Sequence, residues 1–456
     1  MPARLSLERL TKLLLLLWVI AALALQNWLL HASWPQLPLY TVLLTAGLAA
    51  ASWFDRRSVA VVLGVAYVFP VITRYTRGLQ SPFFTVLWLA AVFGVMLPDL
   101  LRAPWHLPRR WRIPLVYSAL AVAISAVVVL VREIDGVPLL MIDTGAAFWR
   151  GGTPPPFTLM WVLHVSITLV VGILWFDWLL GARDLDYERT IVTPLVAGAL
   201  LLGLTAVYQF FIDDSLMNET VFRVLGRATG TMWDANVAGM IAALWVGGVW
   251  LWAERLGGWR RAVVPPAMVI LAIALWATGS RTALLAAAIG VAGIAMTQLF
   301  GGERLERRRL VLAIGAFVLM AVAVAAFGRF SGGRNAVVRI AEMVEKNSSV
   351  GSLAQEIWAR NGYGTVAVEM IRQSPVAGVG VGAYHGLAYE FGRRFGYGLP
   401  PDNAQNWLRH QIAELGFVGG AGWAVWFFAF AFAVCVPRRG EPSSIWIARG
   451  TILAFG

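Results

Sequence analysis

The chain has 456 residues, of which 59% are hydrophobic and 14% are charged, whereas about a quarter of the residues of an ordinary soluble domain are charged. Together with a mean hydropathy of +0.70, these proportions exclude a soluble globular protein and predict a polytopic membrane protein. The net charge of +12 is expected from basic residues that flank membrane spans. We therefore expect membrane lipids as partners and no nucleic acid.

Apolar segments long enough, or nearly long enough, to cross about 30 Å of hydrocarbon as helices recur along the chain. Twelve such segments lie at residues 11–30, 37–54, 58–73, 83–101, 113–131, 157–180, 191–211, 236–253, 262–278, 282–300, 310–327 and 416–436. The predicted fold class is therefore an all-α polytopic membrane protein with about 12 transmembrane helices. A further apolar stretch, 451–456, resembles the start of a thirteenth span.

Basic residues on alternate sides of these spans predict the orientation of the chain. If the N-terminus lies inside, the cytoplasmic connections carry clusters such as Arg109, Arg110 and Arg112, and the short connections on the other side carry few basic residues. Retention of positive charge in the cytoplasm therefore favours a cytoplasmic N-terminus. The segments that then face outward are 132–156, 212–235, the turn 278–282 and a long loop, 328–401.

The long outer loop divides the chain into three predicted parts. Residues 1–327 hold the first eleven spans with short loops, residues 328–415 form a large loop with amphipathic helices and active-site residues, and residues 416–456 hold the twelfth span and the start of a thirteenth. Within the loop, the stretch "SLAQEIWARNGYGTVAVEMIRQSP" has apolar residues at helical spacing. It predicts one or two amphipathic helices that lie over the membrane domain.

Two short stretches place arginines on the outer side. "GRATGTMWDANVAG" carries Arg227, Asp234 and Asn236, and "TGSRTALL" carries Ser280 and Arg281. Helix capping by Asp234 or Ser280, and an arginine that extends to the membrane interface, would explain the same patterns. With Arg360 of the long loop, however, three arginines lie beside small residues on one side of the membrane. Their planar, permanently charged side chains are suited to holding a diphosphate.

The stretch "SPVAGVGVGAYHG" contains a G-x-G-x-G pattern. It follows a helical segment rather than a strand and faces outward, so we interpret it as a tight loop that presents Tyr384 and His385 rather than as a dinucleotide site. A histidine in such a loop can also be incidental. Metal-dependent catalysis is not expected, because Asp184 and Asp186 lie on the cytoplasmic side and the single cysteine, Cys435, excludes a cysteine-rich site.

The stretch "DNAQNWLRHQIAELGFVGG" begins as a polar helix and ends as a membrane span. Its polar residues recur at helical spacing and share one face: Asp402, Gln405, Asn406, Arg409 and His410. That face is predicted to line a site outside the membrane, with Glu414 as a supporting residue. Alternatively, Asp402 begins the helix as its N-cap, with Gln405 in a capping-box position.

Four stretches resemble, in the same order, the O-antigen ligase and O-antigen polymerase superfamily of bacterial inner-membrane glycosyltransferases. They are "RATGTMWDANVAG", "TGSRTALL", "RNGYGTVAVEMIRQSPVAGVGVGAYH" and "DNAQNWLRHQIAELGFVG", and the likeness covers residues 191–436. The resemblance implies a GT-C-type helical fold and an active site at the periplasmic face of the inner membrane. It also implies an undecaprenyl-diphosphate-linked glycan as donor, a lipid A-core or growing glycan as acceptor, and no metal or nucleotide cofactor.

The resemblance also implies roles for single residues. Arg227 and Arg281 match family arginines thought to engage the diphosphate, and Arg360 matches a basic position that opens the loop helix. Apart from the resemblance, we expect Asn236, Ser280, Asn406 and Glu414 to be supporting residues of the site.

Position 405 departs from the family pattern. The ligase pattern is a histidine, then Asn, Ser or Gln, nine residues, Gly, two residues and Gly; here Gln405 replaces the histidine, while Asn406, Gly416 and Gly419 keep the register. A neutral imidazole can accept a proton from an attacking hydroxyl, whereas an amide can only orient that hydroxyl. An inactivated variant, a polymerase that activates its acceptor otherwise, or a nearby substitute base would each explain the glutamine. The substitutes that the sequence offers are Asp402, His385 and His410.

The predicted function is transfer of a glycan from undecaprenyl diphosphate to an acceptor sugar hydroxyl, by an O-antigen ligase or by an O-antigen or exopolysaccharide polymerase. A flippase or other transporter of lipid-linked oligosaccharides is an alternative, for which charged residues within the spans would be expected. Few such residues are seen apart from Asp177, near a helix end. A non-catalytic scaffold of a polysaccharide assembly complex is a second alternative.

Overall fold

The computed structural model describes residues 7–31, 35–64, 81–134, 157–182, 185–218, 220–232, 234–300, 343–347, 349–359, 362–399, 404 and 406–436. These residues form helices joined by turns, and they contain no strand. The all-α fold class predicted from the sequence is therefore confirmed for this part of the chain.

The α-helices, numbered in chain order, are α1 (Leu7–Leu30), α2 (Leu37–Phe54), α3 (Val59–Gly64), α4 (Ser81–Arg102), α5 (Arg109–Ile134), α6 (Phe157–Gly181), α7 (Thr193–Phe211), α8 (Thr220–Val224), α9 (Ala235–Leu256), α10 (Arg260–Ala277), α11 (Arg281–Phe300), α12 (Val350–Ala359), α13 (Tyr363–Gln373), α14 (Ala383–Arg394) and α15 (Trp407–Cys435). A π-helical turn, Glu188–Val192, leads into α7. Helices α12 and α13 lie where the sequence predicts one or two amphipathic helices.

Apolar helices of spanning length make this a multi-pass membrane protein. Eight segments among the described residues are long and apolar enough to cross a membrane: Leu7–Leu30, Leu37–Phe54, Arg109–Val131, Val162–Gly181, Glu188–Phe211, Ala235–Ala253, Arg260–Ala277 and Trp407–Val434. The predicted spans 83–101 and 282–300 also coincide with helices, α4 and α11. The predicted span 310–327, and the part of 58–73 beyond Gly64, lie outside the described residues, so the count of about twelve stays a prediction.

The chain divides into two compact units, each assembled from separate segments. The first unit comprises Met1–Ser58, Gly78–Leu185 and Ser349–Ala429, and the second comprises Val59–Arg77, Asp186–Ser348 and Phe430–Gly456. Residues Ser349–Ala429, which include most of the predicted outer loop, therefore group with the N-terminal helices rather than with the middle of the chain.

A buried ion pair holds three parts of the first unit together. Lys12 of α1 lies 3.0 Å from a carboxylate oxygen of Asp177, which is fully buried in α6. The other carboxylate oxygen accepts hydrogen bonds from the backbone N–H groups of His106 and Leu107, between α4 and α5. Lys12 also donates to the Ala103 carbonyl. Because its charges are paired and hydrogen-bonded, this cluster avoids most of the cost of burying them.

Helix α15 is folded into two arms at Gly416, whose φ of +66° and ψ of −176° are not helical. The indole rings of Trp407 and Trp423 are 5.2 Å apart, although a straight helix would separate these positions by about 24 Å. A Cβ built on Gly420 would lie 3.7 Å from the backbone nitrogen of Ile412. The arm 407–415 therefore folds back on the arm 417–435, and the apolar second arm is the predicted span 416–436.

The loop 375–380 supplies hydrogen-bond partners for the backbone groups that are exposed at this break. The bonds run from Phe417 N to Pro375 O (2.7 Å), from Val418 N to Val376 O (3.3 Å), from Val379 N to Ala413 O (2.9 Å) and from Gly380 N to Glu414 O (2.8 Å). Gly378 has a φ of +70°, and a Cβ there would collide with the backbone of Glu414. The glycine-rich stretch is thus the tight loop that the sequence predicts, and it satisfies helix ends that would otherwise lack partners.

Helix α5 supports both the loop and the folded helix within the first unit. The Tyr117 hydroxyl donates to the Val418 carbonyl over 2.7 Å, and the Ser125 hydroxyl accepts from the Val381 backbone N–H at 3.0 Å. These two bonds fix the C-terminal arm and the start of α14 on one transmembrane helix.

The second unit is built around α9, which packs against α7, α10 and α11. Its core contains fully buried apolar side chains such as Leu202, Val249 and Leu271. Gly239 lets α9 approach the turn before α11 closely, because a Cβ there would lie 2.7 Å from the Thr278 hydroxyl oxygen. This close approach brings the "GRATG" loop beside the "TGSRT" turn.

Candidate functional site

Arg227 lies in the loop before α9 and is bonded to the turn that carries Arg281. Its Nε donates to the Thr278 carbonyl over 2.6 Å, its Nη2 donates to Asn236 Oδ1 over 2.9 Å, and its side chain is buried. Gly279 has a φ of +59°, and a Cβ there would lie 3.4 Å from Arg227 Cγ. The structure therefore places Arg227 beside the short turn that leads into Arg281, in the second unit.

Arg281 is the first residue of α11 and is half-buried. Its Nη1 lies 3.4 Å from the Met343 sulfur, a weak acceptor. The Ser280 hydroxyl accepts from the Ala283 backbone N–H at 3.3 Å, so Ser280 caps α11 as the sequence suggests. The third predicted arginine, Arg360, lies outside the described residues.

The acidic residues near these arginines have structural roles. One Asp234 oxygen accepts from the backbone N–H groups of Asn236 and Val237, so Asp234 caps α9, which confirms the alternative that the sequence left open. Hydrogen bonds from Ser215 lower the pKa of Asp213. Among the residues that the structure describes, no group of three or more His, Cys, Asp or Glu is placed to hold a metal ion.

Two polar residues of the second unit, Gln209 and Asn218, were missed by the sequence analysis. Both are buried, and both bond to the loop 227–230. Gln209 is a single polar side chain in an apolar span, and nothing local in the sequence marks its partners. The signal that could have identified it is the cost of a buried amide, which is rarely accepted without hydrogen bonds.

In the first unit, Glu414 caps the N-terminus of α14. Its side chain is fully buried, and its Oε1 accepts from the Tyr384 backbone N–H at 3.2 Å. The residue before α14, Gly382, has a φ of +76°. A carboxylate at this position accepts from an N–H group without an intrahelical partner and interacts favourably with the helix dipole. Glu414 therefore fixes the start of α14, which carries His385.

His410 connects Glu414 to the segment before α15. Its Nδ1 accepts from the Ala404 backbone N–H at 3.3 Å, so the ring proton of the neutral imidazole must be on Nε2. This nitrogen lies 3.4 Å from Glu414 Oε1. Both nitrogens of His410 therefore have partners inside the protein, and the ring packs edge-on against Tyr384.

Arg409 ties the polar segment to α12. Its Nη1 donates to the Trp358 carbonyl over 2.8 Å, and its Nη2 donates to the Ala404 carbonyl over 2.9 Å. Its backbone N–H donates to Asn406 Oδ1. Three of the five residues predicted on one polar face, Asn406, Arg409 and His410, thus bond within the protein. The other two, Asp402 and Gln405, lie outside the described residues.

His385 lies in the first turn of α14 and is half-buried. Burial, and to a smaller extent the charge of the nearby His410, lowers the pKa of His385 to about 4. Its imidazole is therefore neutral at physiological pH and is chemically able to accept a proton, although as a weak base.

Fold and geometry together define a multi-pass helical membrane protein in which buried Arg227 and half-buried Arg281 lie at the turn between α10 and α11. Residues 266–424 match the family model described as O-antigen ligase. No curated protein and no solved structure matches the chain. The match includes Arg281, His385, His410 and Glu414, and it confirms the likeness to the O-antigen ligase and polymerase superfamily. Residues 266–424 are therefore similar to the O-antigen ligase family, and this similarity supports a role in glycan transfer of the ligase or polymerase type.

Proposed function

We propose that the protein is a periplasmic-face glycosyltransferase that moves a glycan from undecaprenyl diphosphate to an acceptor sugar hydroxyl. It acts as an O-antigen ligase or as an O-antigen or exopolysaccharide polymerase, with a lipid A-core or a growing glycan as acceptor. The observation that carries the proposal is the anchoring of Arg227 to the turn that bears Arg281. Two guanidinium groups held beside one turn suit a diphosphate, whose oxygens accept charge-assisted hydrogen bonds.

The proposed reaction is a direct displacement with inversion. The acceptor hydroxyl oxygen forms a bond to the anomeric carbon, and the bond from that carbon to the diphosphate oxygen breaks. The leaving diphosphate takes the electron pair, and Arg227 and Arg281 stabilise the negative charge that develops on it. No metal or nucleotide is proposed to take part.

The proton of the acceptor hydroxyl needs a destination. We propose His385, because its imidazole is neutral and is chemically able to accept a proton. Gln405 then orients the hydroxyl rather than deprotonating it. Asp402 stays an alternative base, and Arg360 stays an additional diphosphate contact.

The architecture proposed for this function is a GT-C-type bundle of about 12 helices in the bacterial inner membrane, with a cytoplasmic N-terminus. The proposed parts are residues 1–327 with eleven spans, the periplasmic loop 328–415 with the active-site residues, and residues 416–456 with the last span. Charge asymmetry of the connecting segments supports this orientation.

The Arg227→Ala and Arg281→Ala variants test the proposal. Purified protein is incubated with a lipid-linked glycan and candidate acceptors, and released undecaprenyl diphosphate and extended acceptor are measured. We expect both variants to fold and to lose transfer. The matched control is Arg223→Ala, since Arg223 is an exposed arginine near Arg227 that pairs with Asp214; this variant should keep full activity. Full activity in both of the first two variants would refute the proposed site.

The same assay separates the alternatives to an enzyme. A transporter moves the lipid-linked glycan across the bilayer and releases no undecaprenyl diphosphate, and a scaffold does neither. The Gln405→His variant tests the interpretation that the glutamine replaces a lost base. A gain in rate would support that interpretation, and an unchanged rate would indicate that Gln405 belongs to a different way of activating the acceptor.

A further inference from the structure

We infer that Gln209, with Asn218, is a positioning residue for Arg227. These two side chains fix the backbone of the loop 227–230, and they affect glycan transfer through the position of Arg227 alone. The inference rests on the diphosphate-binding role proposed for that arginine, and its test is chosen so that the two can fail separately.

Gln209 uses its whole hydrogen-bonding capacity to hold this loop against α7. Its Oε1 accepts from the backbone N–H groups of Thr229 (2.9 Å) and Gly230 (2.8 Å). Its Nε2 donates to the carbonyls of Gly230 (3.0 Å) and Leu216 (2.8 Å). A glutamine amide has two N–H donors and an oxygen that accepts two bonds. All four are satisfied, and the side chain is 2% exposed.

Asn218 completes the attachment at Arg227 itself. Its Nδ2 donates to the Arg227 carbonyl over 2.8 Å, and its Oδ1 accepts from the Thr229 hydroxyl at 3.3 Å. Asn218 is 5% exposed. The Arg227 carbonyl therefore bonds directly to the Asn218 side chain. Thr229, two residues later, is the first backbone partner of Gln209.

The loop needs these side chains because it has no regular structure of its own. Residues 227–229 lie between α8 and α9 outside any helix. The Arg227 and Ala228 N–H groups donate to the Phe222 and Ala277 carbonyls, and the other buried backbone groups of the loop must find partners too. Gly230 packs directly on α7, since a Cβ there would lie 2.8 Å from the Leu202 carbonyl oxygen. The loop therefore packs directly on α7 at Gly230, the residue that also bonds to Gln209.

The bonds to the side chain and to the backbone of Arg227 have different roles. Thr278 and Asn236 hold the guanidinium end, and Gln209 and Asn218 hold the backbone end. If the backbone end were released, the guanidinium would have to adjust its bonds to the turn before Arg281. Loss of the Gln209 side chain should therefore weaken diphosphate binding by displacing Arg227, and not by removing a contact between Gln209 and the diphosphate.

A double-mutant cycle on ligand binding tests this role. The probe is undecaprenyl diphosphate, and its Kd is measured with full-length purified wild type, Gln209→Leu, Arg227→Ala and the double variant. We expect Gln209→Leu to weaken binding by about tenfold and to have little further effect once Arg227 is absent. Gln26→Leu is the matched control, because Gln26 is also a buried glutamine of a transmembrane helix; it should leave the Kd unchanged.

Several outcomes would overturn the inference. Equal weakening by Gln209→Leu with and without Arg227 would mean that Gln209 acts independently, and a lowered thermal midpoint with an unchanged Kd would mean that it serves stability alone. If Gln209→Leu does not fold, Asn218→Ala replaces it in the same cycle and is judged by the same two criteria. An unchanged Kd in Arg227→Ala would instead refute the proposed diphosphate site.

Discussion

His385 and His410 lie close together in the first unit, but their surroundings give them different chemistry. His410 has the Ala404 N–H on one nitrogen and the Glu414 carboxylate on the other, so its role is to connect these two groups. His385 is held neutral mainly by burial. A neutral imidazole can accept a proton, and this difference is why His385 is the proposed acceptor.

The lowered pKa of His385 predicts a pH dependence of stability. An unperturbed histidine titrates at 6.5, and in the folded protein the pKa of His385 is about 4. As pH falls from 6.5 to 4, the unfolded chain binds a proton that the folded chain does not, so the free energy of unfolding decreases. Thermal midpoints measured across this range should fall less for His385→Gln than for wild type. Above pH 7 the thermal midpoints of the two proteins should change with pH at the same rate. Parallel curves of thermal midpoint against pH over the whole range would contradict the lowered pKa of His385.

At the scale of elements, local features were predictable and distant ones were not. Caps by Asp234 and Ser280 depend on a side chain and N–H groups two or three residues away, so the sequence shows them. The start of the last span was predicted at 416 because hydropathy rises there. The fold-back at Gly416, in contrast, depends on bonds to the loop 375–380, which leave no periodic pattern in the sequence.

The polar face that begins at Asp402 shows the same limit. Helical spacing correctly groups Asn406, Arg409 and His410, but spacing does not distinguish a ligand from a backbone carbonyl as their partner. In the structure Asn406 accepts from the Arg409 backbone N–H, and the Arg409 side chain donates to carbonyls of α12 and Ala404. His410 accepts from the Ala404 N–H and lies beside Glu414. A polar stripe in an apolar chain thus indicates that partners exist without identifying them.

The break in α15 predicts that Gly416→Ala is strongly destabilising. A side chain there must adopt a φ of +66°, and its Cβ would collide with the Val376 carbonyl. Gly396→Ala is the control, because Gly396 has a φ of +76° with no atom within 4 Å of a Cβ, so it isolates the backbone strain. We expect a cost of about 1 kcal/mol for the control and several-fold more for Gly416→Ala. Equal shifts in thermal midpoint for Gly416→Ala and Gly396→Ala would show that the loop 375–380 moves aside at little energetic cost.

At the scale of the whole molecule, each unit carries a different part of the proposed chemistry. The second unit holds Arg227 and Arg281 with their supporting network, and the first holds His385, His410 and Glu414. Each unit is stitched from distant segments, so neither corresponds to a continuous stretch of the sequence. Prediction from hydropathy located spans that the structure describes as helices, but it could not group them, because grouping depends on contacts between residues far apart in the chain.

Cysteine labelling tests the proposed orientation. In a Cys435→Ser background, Ser349→Cys places a thiol in the long loop and Arg57→Cys places one in a short basic connection, and both positions are exposed. A membrane-impermeant maleimide applied to spheroplasts should label the first variant and should label the second only after permeabilisation. The reverse pattern would place the N-terminus and the arginine site on the opposite sides from those proposed.

The bonds from α5 to Val381 and Val418 also constrain how the protein is made. Tyr117 and Ser125 bond to residues 301 and 256 positions later, and at typical translation rates this distance takes on the order of tens of seconds to synthesise. During that interval α5 has been inserted, but the Tyr117 and Ser125 hydroxyls must form hydrogen bonds with groups other than their final partners. Assembly of the first unit therefore cannot be completed until its last segment, Ser349–Ala429, has been synthesised.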